Sequence, residues 1–566
     1  MPTIEIEYED FVQLLGLELE RNVEKIDEVL SFVKGEVKKF DEKEGVLTIE
    51  IKDTNRPDLW NVEGLARALR GFLGLEKGMK PYAVAGDSGV KVYVDTRLRE
   101  IRPYIACAVV RNLKLNDTLI RGLMRLQDKL DQTYGRNRRR TSIGLYNFDL
   151  ITPPLRYTVS KPDGTSFVPL GFEQKMSLGE ILELHPKGVE YGDIVRGFDV
   201  YPILLDSENR VLSFPPIINS NDLGKVTSQT KNVLVEVTGT VHETVLNTLN
   251  MVLFSLIDRK GKAYSATIEY AYSGKPVKVV TPRIESWRMQ LDIEYVNRVL
   301  GLRLTPKRVA ELLRLARFDV EKTGRRTVLV RIPAYRIDVM HPIDLVEDVA
   351  IAYDYNNIEP LWRRLPTTGA TKPETEVYDF ARETMIGLGF QEVFTYTLTN
   401  KQALFRKMNL KPEKIVEIAN PKVQTLTCLR NWLLPSLVEF LSNNQHVEYP
   451  QKIFELGTVV ILDNTCETRA REEQKLAAAV THANAGFTEI KSALDAFFAN
   501  LNLKWQIEET VHPSFIDGRV GKARIDGAEV GIVGELHPLV LEAWSLEKPV
   551  AAFEVNMSRI YALTKR

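Results

Sequence analysis

The chain has 566 residues, 44% of them hydrophobic, and its 75 Lys plus Arg nearly cancel its 76 Asp plus Glu. That length exceeds one core and implies roughly four domains. Near-neutral charge excludes a global field for nucleic acid, so any such partner must be met by local patches.

No apolar run approaches the length that spans a bilayer. The start, Met1-Pro-Thr-Ile-Glu-Ile-Glu, is acidic rather than a basic leader, so a cytoplasmic protein is expected. Cys107, Cys428 and Cys466 are far apart and without metal-ligand spacing, and read as inert thiols.

In chain order, Tyr8 to Gly16 and Val23 to Val33 have helical apolar spacing, and Val46 to Ile51 alternates as a strand. Asp53-Thr-Asn-Arg-Pro-Asp58 breaks that strand. A helix is then expected from Leu59, with Val62, Leu65, Ala66 and Leu69 on one face. A linker follows around Gly78 to Ser88.

A larger domain begins with strands at Val90 to Val94 and Tyr104 to Val110 and a helix over Arg121 to Leu130. Next comes the most basic patch of the chain, Tyr134-Gly-Arg-Asn-Arg-Arg-Arg140. Its arginines suit phosphates, and a solvated loop explains them equally well. Short apolar runs such as Tyr201 to Leu205 and Val233 to Val237, punctuated by turns, imply a mixed, strand-rich domain. Ser213-Phe-Pro-Pro-Ile-Ile-Asn-Ser-Asn-Asp222 puts polar groups directly after a Pro-fixed apolar run. It reads as one wall of a pocket or as an ordinary turn.

A central module starts near Val280, with a helix over Ile293 to Leu300 and another opened by Thr305-Pro306. Val328, Val330 and Ile332 alternate as a strand, and a helix should start at Pro342, with Leu345, Val346, Val349, Ala350 and Tyr353 as its stripe. Asp344, Glu347 and Asp348 stand together at helical spacings, with Asp338 just upstream. Such oxygens suit a hard cation such as magnesium, but acid in a first helical turn is favoured by the helix dipole in any case. Strand, Arg-x-Asp turn and amphipathic helix occur both here and at Arg56 to Leu69, so two related modules are expected.

After a Pro- and Thr-rich linker at 366–373, the last block alternates helices with strands, among them Val393 to Leu398, Lys475 to Val480 and Val550 to Val555. That pattern indicates an α+β domain on a largely antiparallel sheet. No phosphate-cradling Gly-rich motif, zinc set or nucleophile elbow occurs, so nothing points to a self-sufficient enzyme.

Seven motifs in order resemble one family, the beta subunit of phenylalanyl-tRNA synthetase of the archaeal and eukaryotic type. They are Asn55-Arg-Pro-Asp58 with Gly64-Leu-Ala-Arg67, Thr141 to Asn147, His185-Pro-Lys-Gly188 with Tyr191, Phe214 to Asn219, and Tyr335 to Asp338 with Asp344 to Asp348. The series closes with Asn420-Pro421 and Leu429 to Pro435, then Asp517-Gly-Arg519 with Gly534 to Pro538 and Phe553-Glu554.

The resemblance implies an α+β multidomain chain. It would have a small helical or winged N-terminal module at 1–88, a mixed α/β editing domain at 89–278, a central module at 279–365 and a noncatalytic, degenerate class II synthetase-like domain at 366–566. It further implies an α2β2 assembly with an alpha subunit that carries the synthetic site and, with ATP, attaches phenylalanine to tRNA(Phe). Editing would remove tyrosine wrongly attached to that tRNA, at a pocket carried over onto Asn219, Asp222, Gln127 and Arg140. Hydrolysis would use water activated by substrate and backbone groups. Mg2+ would be held by Asp338, Asp344, Glu347 and Asp348, for assembly rather than chemistry. The competing expectation is an editing-inactive scaffold or RNA-binding subunit. Asp354 departs from the family, which has Gly between two tyrosines there, and Asp is among the residues that tolerate positive φ.

Overall fold

The computed structural model describes residues 2–272, 276–362 and 367–564. They form two compact units, Met1–Leu361 and Trp362–Arg566. The boundary expected at 365/366 lies outside the described residues, as does the first residue of the linker expected at 366–373.

The first unit contains the same small module twice. Near the N-terminus, strand Thr3–Glu7 leads into helices Tyr8–Leu15 and Val23–Leu30, strands Gly35–Asp41 and Val46–Ile51, and helix Val62–Phe72. The central copy runs through strand Trp287–Asp292, helices Ile293–Leu300 and Pro306–Leu315, strands Asp319–Thr323 and Thr327–Ile332, and helix Pro342–Tyr353. In each, the third strand lies between the first two.

Local signals set the helix starts. Asn61 caps the helix of the first copy by accepting from Gly64 N, so the helix begins at Val62 rather than at Leu59, and Pro57–Leu59 forms a short tight turn. Thr305 caps Pro306–Leu315 as its sequence predicts. The stripes bury Leu65 and Leu69 in one copy and Leu345 and Val349 in the other. Each fully buried leucine contributes about 1.5–3 kcal/mol of hydrophobic stabilisation.

Between the copies lies a mixed ten-stranded sheet whose strands run from Asp87–Val94 to Val277–Thr281, a few residues beyond the 89–278 span expected. Helices Asp117–Gln132 and His242–Asp258 cover one face, packing on Val233, Val235 and Val237. The second helix was not anticipated. The opposite face buries Leu234, Tyr146 and Tyr157. Among the described residues, the last strand of the sheet path, Thr141–Asn147, pairs only with Val233–Gly239. Strand Ile218–Asn219 ends the path at the other side. The two ends meet, since the Tyr146 hydroxyl lies 2.9 Å from Ser213 Oγ and 3.4 Å from Asn219 Oδ1.

The second unit is built on a seven-stranded sheet, antiparallel except where Gln391–Glu392 runs parallel to Gln451–Leu462. Helices Pro373–Gly387, Phe487–Asn500 and Met557–Thr564 pack on one core, and Leu434–Asn443 and Pro538–Ala543 on the other. A strand over Val393 to Leu398 does not form. Only Gln391–Glu392 and Leu398–Thr399 pair, and Phe394 and Tyr396 project into solvent at 88% and 79% exposure.

Candidate functional site

The acidic helix start is neutralised from within. Arg336 clamps Asp338 through Nε (2.9 Å) and Nη2 (2.7 Å), and Asp348 through Nη1 (3.2 Å) and Nη2 (2.6 Å). Arg56 of the first copy holds Asp58 with two bonds of 2.8 Å, and its Nε stands 3.7 Å from Asp338. The Arg-x-Asp turns of the two copies therefore meet in one buried ladder. Asp344 accepts from the backbone N–H of Met340 (2.8 Å) and His341 (2.7 Å), closing a capping box, and Glu347 pairs with Lys34 at the surface.

Each of the four carboxylates expected to hold Mg2+ thus already has a cation or N–H donors. Among the described residues, no three His, Cys, Asp or Glu side chains are grouped to hold a metal ion. In this arrangement the four carboxylates do not converge on one point. Spacing brought the four to one helix end and its preceding turn, but the guanidinium of Arg336 occupies the point on which Asp338 and Asp348 converge.

A second site lies where the two ends of the large sheet approach each other. A cavity there is lined by Gln127, Arg138, Ser142, Ser213, Asn219 and Glu236, with apolar walls from Leu170, Phe214, Pro216 and Ile217. Of the four pocket residues expected, Gln127 and Asn219 line it. Asp222 is exposed, and Arg140 is half-buried with its charge acting on Tyr134; neither lines the cavity.

Arg138 takes the inward place instead. Its guanidinium donates to Pro216 O (3.1 Å) and Ile217 O (2.8 Å), lies 3.1 Å from Asp131 and sits 4.4 Å over the Tyr191 ring. Gln127 Nε2 donates to Ile143 O on the free edge of the last strand (3.1 Å).

Glu236 was missed altogether. It is 2% exposed, in the middle of strand Val233–Gly239. Its Oε2 accepts from the Tyr146 hydroxyl at 2.8 Å, while its Oε1 is buried without a hydrogen-bond partner. Burial pushes the Glu236 carboxyl up to about 7, against the opposing influence of Tyr146 and Arg102. Gly144 stands directly opposite in register, and a Cβ there would come within 2.2 Å of the Tyr146 hydroxyl and 2.6 Å of Glu236 Oε2. The glycine of the Thr-Ser-Ile-Gly motif is therefore needed for close approach. The signal for Glu236 was a lone acid inside an otherwise apolar strand, which a sheet covered on both faces does not accommodate without purpose.

A twice-built Arg-x-Asp module, a large sheet closing on a polar cavity and a separate, largely antiparallel unit define a multidomain α/β protein. Residues 289–355 match the family described as the tRNA synthetase B5 domain, and residues 358–557 that described as the phenylalanyl tRNA synthetase beta chain CLM domain. The chain is 44% identical to the phenylalanine-tRNA ligase beta subunit of Pyrococcus furiosus over 563 residues, covering 99% of this chain and 100% of that one. It is 42% identical to that of Archaeoglobus fulgidus over 512 residues, 90% of each. A crystal structure of an N-terminal fragment of the phenylalanyl-tRNA synthetase beta-subunit from Pyrococcus horikoshii superposes with a TM-score of 0.60 at 38% identity, covering 62% of this chain and all of that fragment. The chain belongs to the phenylalanine-tRNA ligase beta-subunit family, and so to the subunits of an aminoacyl-tRNA ligase.

Proposed function

We propose that the chain serves an α2β2 phenylalanine-tRNA ligase, with the synthetic site for ATP and phenylalanine on the alpha subunit, and that its own cavity hydrolyses tyrosine from misacylated tRNA(Phe). The observation that carries this reading is the unpartnered, buried Glu236 Oε1 on the cavity wall. A phenolic O–H entering the cavity would donate to it, whereas a phenylalanine ring would leave it unpaired. A site built to bond a hydroxyl rejects the analogue lacking it far better than an apolar pocket rejects an added hydroxyl.

Gln127 has its amide N–H on the Ile143 carbonyl, so its own carbonyl oxygen remains to orient the substrate's amino group. No side chain in the cavity lining has the nucleophile and base pairing of a covalent mechanism. Water placed by the substrate and by backbone groups is then the attacking species. In the second unit, Arg430 is 1% exposed and tied to Glu455 (2.7 Å) and Thr395 Oγ1 (2.7 Å). An arginine so committed is not free to clamp ATP, in keeping with a noncatalytic, class II-like domain. Magnesium has no part in this reading, because Arg336 already neutralises Asp338 and Asp348.

The test is release of tyrosine from Tyr-tRNA(Phe) by the alpha–beta assembly. Wild type should release it and Glu236→Ala should lose about 10²-fold, the cost of removing the buried acceptor that the substrate hydroxyl would bond. Asn219→Ala should also be impaired. No release by wild type would favour the editing-inactive scaffold instead.

A further inference from the structure

Beside the cavity the backbone does something its sequence does not require. Arg136, Asn137 and Arg138 are three successive non-glycine residues with φ of +50°, +52° and +63°. Asn137 tolerates this left-handed region, whereas each arginine costs about 1–2 kcal/mol there. The turn is held by Asn137 N donating to Gln132 O (3.1 Å), Arg138 N to Asp131 O (3.0 Å) and Arg140 N to Gly135 O (2.8 Å), and by the inward contacts of Arg138.

Its effect is to splay neighbouring cations. Arg138 is buried on the cavity wall, while Arg136 and Arg139 are exposed on the outer side. Arg139 reaches Asp193, and Lys187 lies 5.4 Å over the same Tyr191 ring that carries Arg138 on the cavity side, with Glu190 as its partner. Arg136 pairs with no carboxylate among the described residues. The patch is therefore net positive, and Tyr191 joins it to the cavity wall.

We infer that Arg136 and Arg139 bind the phosphodiester groups of the single-stranded RNA end whose terminal ribose presents its amino-acid ester to the cavity. This rests on the proposed hydrolytic reading. An ester that enters the cavity leaves the phosphates of the last one or two nucleotides just outside it, where these guanidinium groups offer paired donors. The strained turn is the device that divides the work, one arginine inward to shape the wall and two outward to hold the chain.

The test uses the full chain and a short RNA hairpin with a single-stranded 3′ end carrying tyrosine through a non-hydrolysable amide. In Arg136→Gln/Arg139→Gln the Kd should rise about tenfold at moderate salt, and the slope of log Kd against log salt should fall by about one to two. Arg136→Lys/Arg139→Lys should recover most of the slope. In the alpha–beta assembly the Gln variant should raise KM for tyrosine release and leave kcat unchanged. Unchanged affinity and salt slope in the Gln variant would overturn the inference even if hydrolysis is intact. Absence of hydrolysis in wild type, with affinity still lost in the Gln variant, would instead strike the hydrolytic reading and uphold the phosphate contact.

Discussion

Glu236 gives the large sheet a pH dependence of determined sign. Its folded carboxyl titrates at about 7, above the ordinary carboxylate range, because burial favours the neutral form. Between those two values the folded state holds a proton that the unfolded chain has lost, so stability is fully present at low pH and declines as pH rises toward 7. Asp131 beside Arg138, also pushed up to about 7 by burial, adds in the same direction. Glu236→Gln cannot ionise, so its denaturation midpoint relative to wild type should be higher at pH 8 than at pH 5; equal offsets at both values would contradict the assignment. Asp354 offers a second residue-scale test. It sits at φ +73°, ψ 116° after helix Pro342–Tyr353, with its side chain accepting from Asn356 N at 3.0 Å. Asp354→Val should cost about 1–3 kcal/mol, whereas Asp354→Gly should be close to neutral, trading that bond for relief of strain. The positive φ was foreseeable from the sequence, because the resemblance puts glycine there. Arg138 was not, since no periodicity forecasts three left-handed non-glycine residues, and carrying the family's pocket over onto this sequence put Arg140 there instead.

At the scale of elements, the helix Pro342–Tyr353 and its partner Val62–Phe72 show what spacing can and cannot supply. Apolar period, the Pro342 start and the Thr305 cap are local, and each was readable, as was the repeat of strand, Arg-x-Asp turn and helix. The neutralisation of the acid was not readable, because Arg56 and Lys34 come from residues about 300 positions away. Arg336 itself lies two residues from Asp338, yet a sequence does not say whether such an arginine turns in or out. Arg336→Met should destabilise the first unit by about 3–5 kcal/mol by stranding Asp338 and Asp348 in the interior, and Asp348→Leu added to it should restore part of that loss. Chelation should leave the midpoint of wild type unchanged. A rise in midpoint on adding Mg2+, abolished by Glu347→Gln, would show that the outer carboxylates do collect an ion.

At the scale of the molecule, the division between Leu361 and Trp362 makes the first unit a candidate for folding alone. Its copies of the small module and its ten-stranded sheet share contacts through Arg67, which pairs with Asp258 at 2.6 Å and lies 4.1 Å over the Tyr335 ring, and through Arg259, bonded to both Asp10 and Glu63. These ties connect the N-terminal helices, the sheet's long helix and the turn before the central acidic helix, so removal of any one part would strip contacts from buried charges in the others. By contrast, the second unit closes its own ion pairs, Arg430 with Glu455 and Lys475 with Glu554, inside its own sheet. A fragment of residues 1–361 should therefore be soluble, melt cooperatively and retain RNA-hairpin affinity within about twofold of the full chain, since the cavity and its outer arginines lie wholly within it. A shorter fragment ending at residue 281 should not, because it strips the Arg336 and Tyr335 contacts from the N-terminal module and leaves Arg56 and Arg67 without part of their surroundings. Equal melting behaviour of the two fragments would show that the module pair is not the brace that the arginine ladder implies.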